Sequence, residues 1–398
     1  MLLDGVRVLD LSRMLAGPYG SMLLADLGAE VIKIEEPGGG DPMRAMGPPF
    51  LGPDDRESAY FLAINRNKKS VALDLERPEA REVFFDLCRV SDVVWENFRP
   101  GVMARLGCDP AALRALNPRL IVCSISAYGQ TGPYRDWPAF DLALQAMGGA
   151  MSITGEEGRP PVRMGLPMGD LAGGMFGALA VAGALFRRAQ TGDGALIDLS
   201  LLDGQVSLLT YVAQYFWADG RVPGRVGSGH TSVVPYQAFA TQDGFLVVAV
   251  FAEKFWAGFC QAIDRHDLVD DARFDSNAKR VERKAELVPM LEAIFRGRPT
   301  AEWLARLQAT GVPTAPIQRV DQVLSDPQVR LREMVVELEH PKLGPVKTLG
   351  TPIKPAGAPA FRPAPPPALG EHTDAVLGGL LGYPSARIAA LRQQGIIG

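Results

Sequence analysis

The first 35 residues alternate between strand and helix signals, and this pattern constrains the fold more than any other feature. Residues 6–11 form an apolar run typical of a buried strand, residues 16–18 predict the start of a helix that Gly28 ends, and residues 31–35 repeat the strand signal. A strand, a helix and a second strand in this order form a β-α-β unit, in which the two strands lie parallel. The chain is therefore predicted to be an α/β protein.

Three further apolar runs predict more strands of a parallel sheet, at residues 71–75, 93–95 and 120–125. Ligands of open parallel sheets bind near the ends of strands, so polar groups beside these runs are candidate binding residues. Such groups occur at residues 65–70, at residues 97–99 together with Arg105, and at residues 128–130. Lys68 and the cations beside it suit phosphate groups, although a charge run of this kind is also typical of a solvated turn.

Asp170 is the only charged residue between Arg163 and Arg187. The 16 residues 171–186 contain no proline and predict a buried helix, which is shorter than the ~20 residues needed to span a bilayer. Residues 165–169 predict a turn, so Asp170 falls at the helix N-cap. Two interpretations follow: Asp170 caps the helix, or it is a reactive carboxylate whose neighbouring glycines admit a substrate to the backbone.

Chain length and a change of composition along the chain predict two domains, because 398 residues are too many for one typical hydrophobic core. Glycines and prolines beyond Asp219 predict a linker, and residues 236–240 and 245–250 predict a hairpin around Asp243-Gly244. Residues 341–367 contain nine prolines, typical of an extended segment that crosses a surface. We predict a large domain of residues 1–224 and 331–398, and a small α+β domain of residues 225–330.

Composition excludes several classes of function. A net charge of −4 provides no basic patch for nucleic acid. Four scattered cysteines without a C-x-x-C motif favour a reducing compartment, and no two of the four histidines have the spacing of metal ligands. The N-terminal residues lack the pattern of a signal peptide, so we expect a cytoplasmic protein with no membrane partner and no metal.

The β-α-β unit also suggests a dinucleotide-binding protein. Glu35 lies near the usual position of the ribose-binding acid, but residues 17–20 do not match G-x-G-x-x-G. An NAD-binding α/β enzyme is therefore a remote alternative. A serine hydrolase is disfavoured because the chain has no G-x-S-x-G motif.

Six motifs in order along the whole chain resemble those of the class III coenzyme A transferases, the family of formyl-CoA transferase, carnitine-CoA transferase and acyl-CoA racemase. They are residues 10–12 with 16–18, 28–35, 65–70, 96–101, 169–170 and 370–373. The resemblance implies a Rossmann-like large domain built from both ends of the chain, plus the smaller domain. It also implies a homodimer of two chains threaded through each other as interlocked rings, which explains the proline-rich segment.

The resemblance assigns roles to individual residues. The family nucleophile matches Asp170. Coenzyme A is then a substrate, no cofactor is permanently bound, and the second substrate is a free carboxylic acid. The predicted CoA contacts, with Lys68 added for its charge, are Leu15, Ala16, Lys68, Leu73, Asp74, Asn97, Phe98, Arg99, Arg105, Phe140 and Asp141.

Three residues are candidates for the acyl pocket. Tyr128 and Gln130 follow a predicted strand, where Tyr128 either shapes the pocket or packs. His230 follows residues 227–229, which replace the tetraglycine loop of formyl-CoA transferases. It either meets the second carboxylate of a dicarboxylic substrate or is an ordinary loop histidine.

The mechanism implied by the resemblance makes Asp170 a carboxylate nucleophile, so no separate base is needed. The carboxylate attacks an acyl-CoA and forms a mixed anhydride, and the CoA thiolate then attacks the aspartyl carbonyl to give an enzyme-CoA thioester. The acceptor carboxylate takes the acyl position and receives CoA. Water has to be excluded because it would hydrolyse each acyl intermediate.

Some members of the family instead racemise 2-methylacyl-CoA, which is the alternative function. Racemisation needs a proton-transfer group on each face of the α-carbon. Phe140 occupies the position of the histidine that supports this chemistry in the racemases, and no histidine precedes His230. We therefore predict CoA transfer without racemisation.

Overall fold

The structure is a computed structural model that describes residues 1–52, 57–357 and 360–398. The chain divides into two compact units. Unit 1 comprises Met1–Ala150, Arg163–Gln214 and Pro327–Gly398, and unit 2 comprises Met151–Val162 and Tyr215–Asp326. The boundaries thus lie at 214/215 and 326/327, where 224/225 and 330/331 were predicted, and residues 151–162 belong to unit 2.

The strands in chain order are β1 (Arg7–Asp10), β2 (Glu30–Glu35), β3 (Phe50–Leu51), β4 (Glu57–Ser58), β5 (Lys68–Ala72), β6 (Val93–Glu96), β7 (Ile121–Ser126), β8 (Ala195–Ser200), β9 (Tyr236–Ala240), β10 (Phe245–Ala249), β11 (Thr314–Pro316), β12 (Val335–His340) and β13 (Gly344–Leu349).

The α-helices are α1 (Ala16–Asp26), α2 (Ala59–Ile64), α3 (Pro78–Arg89), α4 (Val102–Arg105), α5 (Pro110–Leu116), α6 (Asp141–Met147), α7 (Ala150–Ile153), α8 (Met168–Thr191), α9 (Leu201–Ser207), α10 (Thr210–Asp219), α11 (Trp256–Ala262), α12 (Asn277–Glu282), α13 (Lys284–Phe295), α14 (Thr300–Ala309), α15 (Val320–Val323), α16 (Pro327–Leu331), α17 (Thr373–Gly379) and α18 (Ser385–Gln393). Short 3-10 helices cover Pro42–Ala45, Glu253–Phe255 and His266–Leu268.

The centre of unit 1 is a parallel sheet with the strand order β5-β2-β1-β6-β7-β8. Val8 of β1 pairs with Val31 of β2 on one side and with Val93 of β6 on the other. The order therefore reverses at β1, and a reversal of this kind opens a crevice at the carboxyl ends of the two central strands. The predicted α/β fold class is confirmed.

Alternate side chains of these strands fill two cores, one on each face of the sheet. Leu9 and Ile32 pack on one face with residues of α3, and Leu377 and Ile388 from the last two helices join the same core. The opposite face holds Trp95 with residues of α1 and α8. Both ends of the chain thus build unit 1.

Strand β5 lies three residues earlier than the predicted strand at 71–75. Lys68 of the Asn65–Ser70 motif therefore belongs to the sheet. Its side chain is buried and pairs with Asp10 of β1 inside the unit. Part of the proline-rich segment also differs from the prediction. Its first residues form β13, which pairs with β12 as an antiparallel hairpin instead of an isolated extended crossing.

Helix α8 has 24 residues, so the predicted length of 16 is wrong. Among the described residues it is the one helix that is long and apolar enough to cross a membrane, by length and composition only. Within unit 1 it packs against α1, and glycines make this possible. A Cβ atom on Gly174 would lie 2.6 Å from the carbonyl oxygen of Ala16, and one on Gly20 would lie 2.6 Å from that of Gly174.

Unit 2 contains an antiparallel sheet with the order β11-β10-β9, covered by helices. The predicted hairpin is confirmed as β9 and β10, joined through the Asp243-Gly244 turn. Its core centres on aromatic rings, with Phe239 stacked on Phe295 at a centroid distance of 4.6 Å.

Candidate active site

Asp170 lies in the first turn of α8, two residues after the helix begins. The N-cap of this helix is Pro167, which makes no side-chain capping hydrogen bond, so the prediction that Asp170 is the N-cap is wrong. The Asp170 carboxylate therefore does not serve as the cap of its own helix. It is half-buried and sits where the helix dipole favours negative charge.

The capping carboxylate comes from a distant part of the chain. Asp141, the first residue of α6, accepts hydrogen bonds through Oδ1 from the backbone N–H groups of Gly169 at 2.8 Å and Asp170 at 3.3 Å. Its Oδ2 accepts from Nε2 of Gln145 at 2.6 Å. Asp141 thus fixes the start of α8, a role different from the predicted CoA contact.

Two causes raise the pKa of Asp170 to about 7. Burial is the larger one, and the negative charge of Asp141 acts in the same direction. The pKa of Tyr60 on α2 is raised by burial and then by the charges of Asp170, Asp141 and Asp41, which places Tyr60 in the same electrostatic environment. A carboxylate with a pKa near neutrality is a stronger nucleophile than one with an ordinary pKa, and it is ionised above pH 7.

The glycines around Asp170 serve packing. A Cβ on Gly169 would lie 2.9 Å from Oδ1 of Asp141, and a Cβ on Gly173 would lie 2.0 Å from Leu201. The interpretation that these glycines admit a substrate to the backbone is therefore wrong for both. They bring α8 close to the elements that hold it.

A cavity of about 400 Å³ lies at the carboxyl ends of β1, β2, β5 and β6, at the point where the strand order reverses. It brings together predicted CoA contacts that are far apart in the chain, namely Leu73, Asp74, Asn97, Phe98, Arg99 and Arg105. The guanidinium groups among these lining residues suit phosphates, since they form strong charge-assisted hydrogen bonds. The cavity therefore fits the nucleotide part of a CoA molecule.

Arg13 lines the same cavity and was missed in the sequence. Its guanidinium lies over the ring of Phe98, 5.4 Å from the centroid. Both polar atoms of the Asn97 side chain bind the Arg13 backbone, each at 2.8 Å, so the loop after β1 is held in place. A basic residue directly after the first strand was the available signal.

Lys68 does not reach the cavity, and its predicted contact with CoA phosphates is wrong. Its Nζ donates to Oδ2 of Asp10 at 3.0 Å, to the carbonyl of Pro18 at 2.9 Å and to Oδ1 of Asn65 at 2.9 Å. All three donors are thereby used inside unit 1. Burial lowers the pKa of Lys68 to about 8, against the opposing effect of Asp10.

Asp170 and the cavity are connected through α1. Gly174, one helical turn after Asp170 on the same face of α8, packs against the carbonyl of Ala16 in the first turn of α1. The loop that leads into α1 contains Arg13 and Met14, which line the cavity. The start of α1 thus links the cavity lining to the first turns of α8 within unit 1.

Other predicted residues lie outside the lining of this cavity. Leu15 and Ala16 are buried at the start of α1, next to it in the chain. Phe140 is 72% exposed and precedes α6. Their contacts with CoA stay predictions.

The acyl-pocket candidates fall into different units. Tyr128 donates to the sulfur of Met147 at 3.2 Å and packs against the ring of Tyr134. The backbone N–H of Gln130 donates to Asp198. His230 belongs to unit 2, where it lines a cavity of about 510 Å³ and its Nδ1 accepts from the backbone N–H of Ser232 at 3.1 Å. Their roles in substrate binding also stay predictions.

Glu35, the candidate ribose-binding acid of the NAD-binding alternative, is not available to a ribose. Both carboxylate oxygens of Glu35 are occupied, by Arg44 at 2.7 Å each and by Ser70 at 2.6 Å. The Glu35 carboxylate therefore stabilises the edge of the sheet within unit 1. Within the described ranges, no group of three or more His, Cys, Asp or Glu is arranged to hold a metal ion.

The model of the family described as CoA-transferase family III matches residues 3–373. The chain belongs to CoA-transferase family III. It is thus an enzyme that moves coenzyme A from an acyl-CoA to a carboxylic acid.

Named relatives and solved structures agree with this membership. The transferase is 40% identical over 395 residues to the succinyl-CoA:glutarate CoA-transferase of Mus musculus, covering 99% of this chain and 90% of that protein. It is 39% identical over 361 residues to the succinyl-CoA:mesaconate CoA-transferase of Haloarcula marismortui, covering 88% and 89%. A crystal structure of a CaiB/BaiF family protein from Brucella suis matches it with a TM-score of 0.84 and 37% identity, covering 95% of this chain and 99% of that one.

Proposed function

We propose that this transferase moves CoA between dicarboxylic acids, with Asp170 as the nucleophile. The observation that carries the assignment of the nucleophile is the carboxylate of Asp170 in the first turn of α8, with a pKa raised to about 7 and its helix capped by another residue. The named relatives support the class of acid, since the Mus musculus protein is named for succinyl-CoA and glutarate and the Haloarcula marismortui protein for succinyl-CoA and mesaconate.

The transfer proceeds through two kinds of intermediate on Asp170. Its ionised oxygen attacks the thioester carbonyl of the donor, the C–S bond breaks, and the CoA thiolate leaves a mixed anhydride behind. The thiolate then attacks the aspartyl carbonyl, which releases the donor acid as a free carboxylate and leaves CoA on Asp170 as a thioester. The acceptor carboxylate attacks this thioester and displaces the CoA thiolate. The thiolate then attacks the acceptor carbonyl of the new anhydride, so the acceptor leaves as its CoA thioester and the Asp170 carboxylate is regenerated.

Each charged group has a defined task in this scheme. Arg13, Arg99 and Arg105 bind the phosphates of CoA, so that the thiolate stays in place while the donor acid leaves and the acceptor enters. The N-terminus of α8 stabilises the negative charge that develops beside Asp170. No resident cofactor takes part.

We further propose a cytoplasmic, interlocked homodimer. Met175, Leu179 and Phe186 lie on one face of α8 and are exposed, which supports a partner surface on this helix. All four cysteines are buried and free, which supports a reducing compartment.

The substrate class is tested by incubating the enzyme with succinyl-CoA and a panel of free acids in deuterated water, followed by mass spectrometry. We expect CoA to appear on dicarboxylic acids such as glutarate and mesaconate. In a parallel reaction with a 2-methylacyl-CoA in deuterated water, no deuterium should enter the α-carbon, because Phe140 carries no exchangeable proton. CoA appearing only on monocarboxylic acids would contradict the dicarboxylate assignment, and rapid deuterium uptake that depends on Asp170 would favour a racemase.

A further inference from the structure

Gln205 on α9 has an unexplained donor close to Asp170. Its side chain is 2% exposed, and its Nε2 has no hydrogen-bond partner among the described residues. Buried amide donors are almost always paired, so a donor left without a partner calls for a reason. The established activity assigns none to this residue.

The backbone around Gln205 is shaped to admit it. A Cβ on Gly148, at the end of α6, would lie 2.6 Å from Cβ of Gln205. A Cβ on Gly169, at the start of α8, would lie 3.0 Å from Nε2 of Gln205 and 2.9 Å from Oδ1 of Asp141. The two glycines leave room for the glutamine, and its amide end faces the same small space as the capping carboxylate.

The surroundings of Asp141 show where a further donor is needed. Oδ2 accepts from Nε2 of Gln145, which is fully buried, while Oδ1 accepts from the backbone of Gly169 and Asp170. Once Asp170 ionises, two neighbouring carboxylates carry negative charge in a largely desolvated place. Like charges this close oppose each other's ionisation, and an added donor relieves the repulsion.

We propose that Gln205 is a positioning residue whose Nε2 donates to Asp141 when Asp170 is ionised, so that the pair of adjacent carboxylates at the start of α8 can exist in the attacking state. The proposal rests on the proposed function, in which Asp170 attacks as an anion. Gln145 and Gln205 then hold Asp141 from two sides. In this role Gln205 acts through Asp141 and not on the substrate.

Titratable groups lie on the elements that pack against α8, on α8 itself and on α2. They are Asp141 on α6, Tyr60 on α2, Tyr19 and Asp26 on α1, Cys123 on β7, Asp198 on β8, Asp203 on α9, and Arg187 and Arg188 on α8 itself. Asp26 is neutralised by Arg66, and Arg188 by Asp92. Among the described residues, the charge that raises the pKa of Asp170 is that of Asp141.

The test is the pH profile of kcat/KM in Gln205→Met, which keeps the volume and removes the donor. We expect the apparent pKa of the essential base to rise by roughly one unit, so that activity falls about tenfold on the acidic side and converges with the wild type at alkaline pH. KM for acyl-CoA should be unchanged. Gln205→Glu should raise the apparent pKa further, because it adds a third carboxyl group, and it preserves the test if the methionine variant does not fold.

Ser207→Ala is the matched control, since it removes a hydrogen bond to the Gly204 carbonyl on the same helix without altering Gln205. Its profile should follow the wild type. A Gln205→Met profile that superimposes on the wild type overturns the proposal, and so does an equal loss at every pH, which would indicate a structural role. Failure of the proposed function is seen separately, as full transfer activity in Asp170→Asn.

Discussion

At the scale of single residues, the active site combines one free carboxylate with one that is held. Asp141 spends its oxygens on the backbone of α8 and on Gln145, whereas Asp170 is left available in the first turn. The division follows from the chain path, because α6 starts beside the beginning of α8. A nucleophile placed this way needs no proton-accepting partner, only a pH at which it is ionised.

The pH dependence of transfer follows from the raised pKa of Asp170. Burial and the charge of Asp141 bring this pKa to about 7, and the ionised form attacks. We expect kcat/KM to rise with pH, to reach half its plateau near pH 7 and to fall about tenfold per unit below it. Initial rates measured across the neutral range check this, and a profile that is flat down to pH 5 would mean that Asp170 ionises with an ordinary pKa.

Removing the charge of Arg105 is expected to weaken CoA binding, whereas removing that of Lys68 is expected to lower stability. Arg105→Ala should raise KM for acyl-CoA roughly tenfold to a hundredfold, since a charge-assisted contact is worth about 1.5–3 kcal/mol. Lys68→Met leaves Asp10 short of its buried partner, so it should cost about 3–5 kcal/mol of stability.

Steady-state kinetics and thermal unfolding of both variants check this contrast. An unchanged KM in Arg105→Ala would remove this residue from the CoA cavity. A Lys68→Met variant with the melting temperature of the wild type and a raised KM would restore the rejected role of Lys68.

The residues also show what sequence reasoning could reach. The resemblance assigned a role to Asp170 and named six of the residues that line the cavity, because these residues lie in or near local motifs. Lys68 was misassigned because its burial depends on the register of β5 against β2, which a local charge run does not reveal. Gln205 had no local signal, since its importance comes only from its position beside Gly169.

At the scale of elements, the contact between α1 and α8 organises the site. Rules for helix starts place the capping carboxylate at Asp170 because they consider only neighbouring residues, whereas the carboxylate that accepts from the first N–H groups of α8 belongs to Asp141 on another helix. The strands were easier to predict, since apolar runs mark buried parallel strands directly. Helix α8 extends beyond its apolar run on both sides.

Two helical glycines are expected to respond in opposite ways to alanine. In Gly174→Ala on α8, the new Cβ would meet the Ala16 carbonyl at 2.6 Å, so overpacking should destabilise the protein by about 1–3 kcal/mol. In Gly204→Ala on α9, the new Cβ would meet the Phe176 ring at 3.5 Å, which is an ordinary contact, and the gain in helix propensity should stabilise the protein by about 0.5–1 kcal/mol.

Melting temperatures of the two variants measured side by side check this prediction. Equal effects of the two substitutions would show that the close approach of α1 and α8 is not required. Transfer activity should fall in Gly174→Ala together with stability, since Asp170 lies one turn away on the same face.

At the scale of the whole molecule, the parallel sheet and its reversal at β1 decide where the chemistry occurs. The β-α-β signal at the start of the chain was sufficient to predict the α/β class, and both ends of the chain meet in one core of unit 1. The assignment of residues 151–162 to unit 2 was not predictable, because the glycines and prolines at 155–161 indicate a loop and not the unit to which it belongs.

The proposed assembly has a clear consequence in solution. We expect a mass of twice the chain mass of 42.8 kDa, which does not decrease on dilution because linked rings separate only by unfolding. The exposed face of Met175, Leu179 and Phe186 on α8 should be buried in this dimer. Light scattering over a dilution series measures this, and a monomer at micromolar concentration would exclude interlocked rings.

The most direct measurement of the central claim is intact-protein mass spectrometry of the enzyme mixed with succinyl-CoA, without an acceptor, and quenched in acid. We predict a species heavier by one CoA less one water, located by peptide mapping on Asp170. Asp170→Asn should remain folded, form no such species and lose CoA transfer. An active enzyme without the adduct, an adduct on another residue, or full transfer by Asp170→Asn would contradict the assignment of Asp170 as the nucleophile.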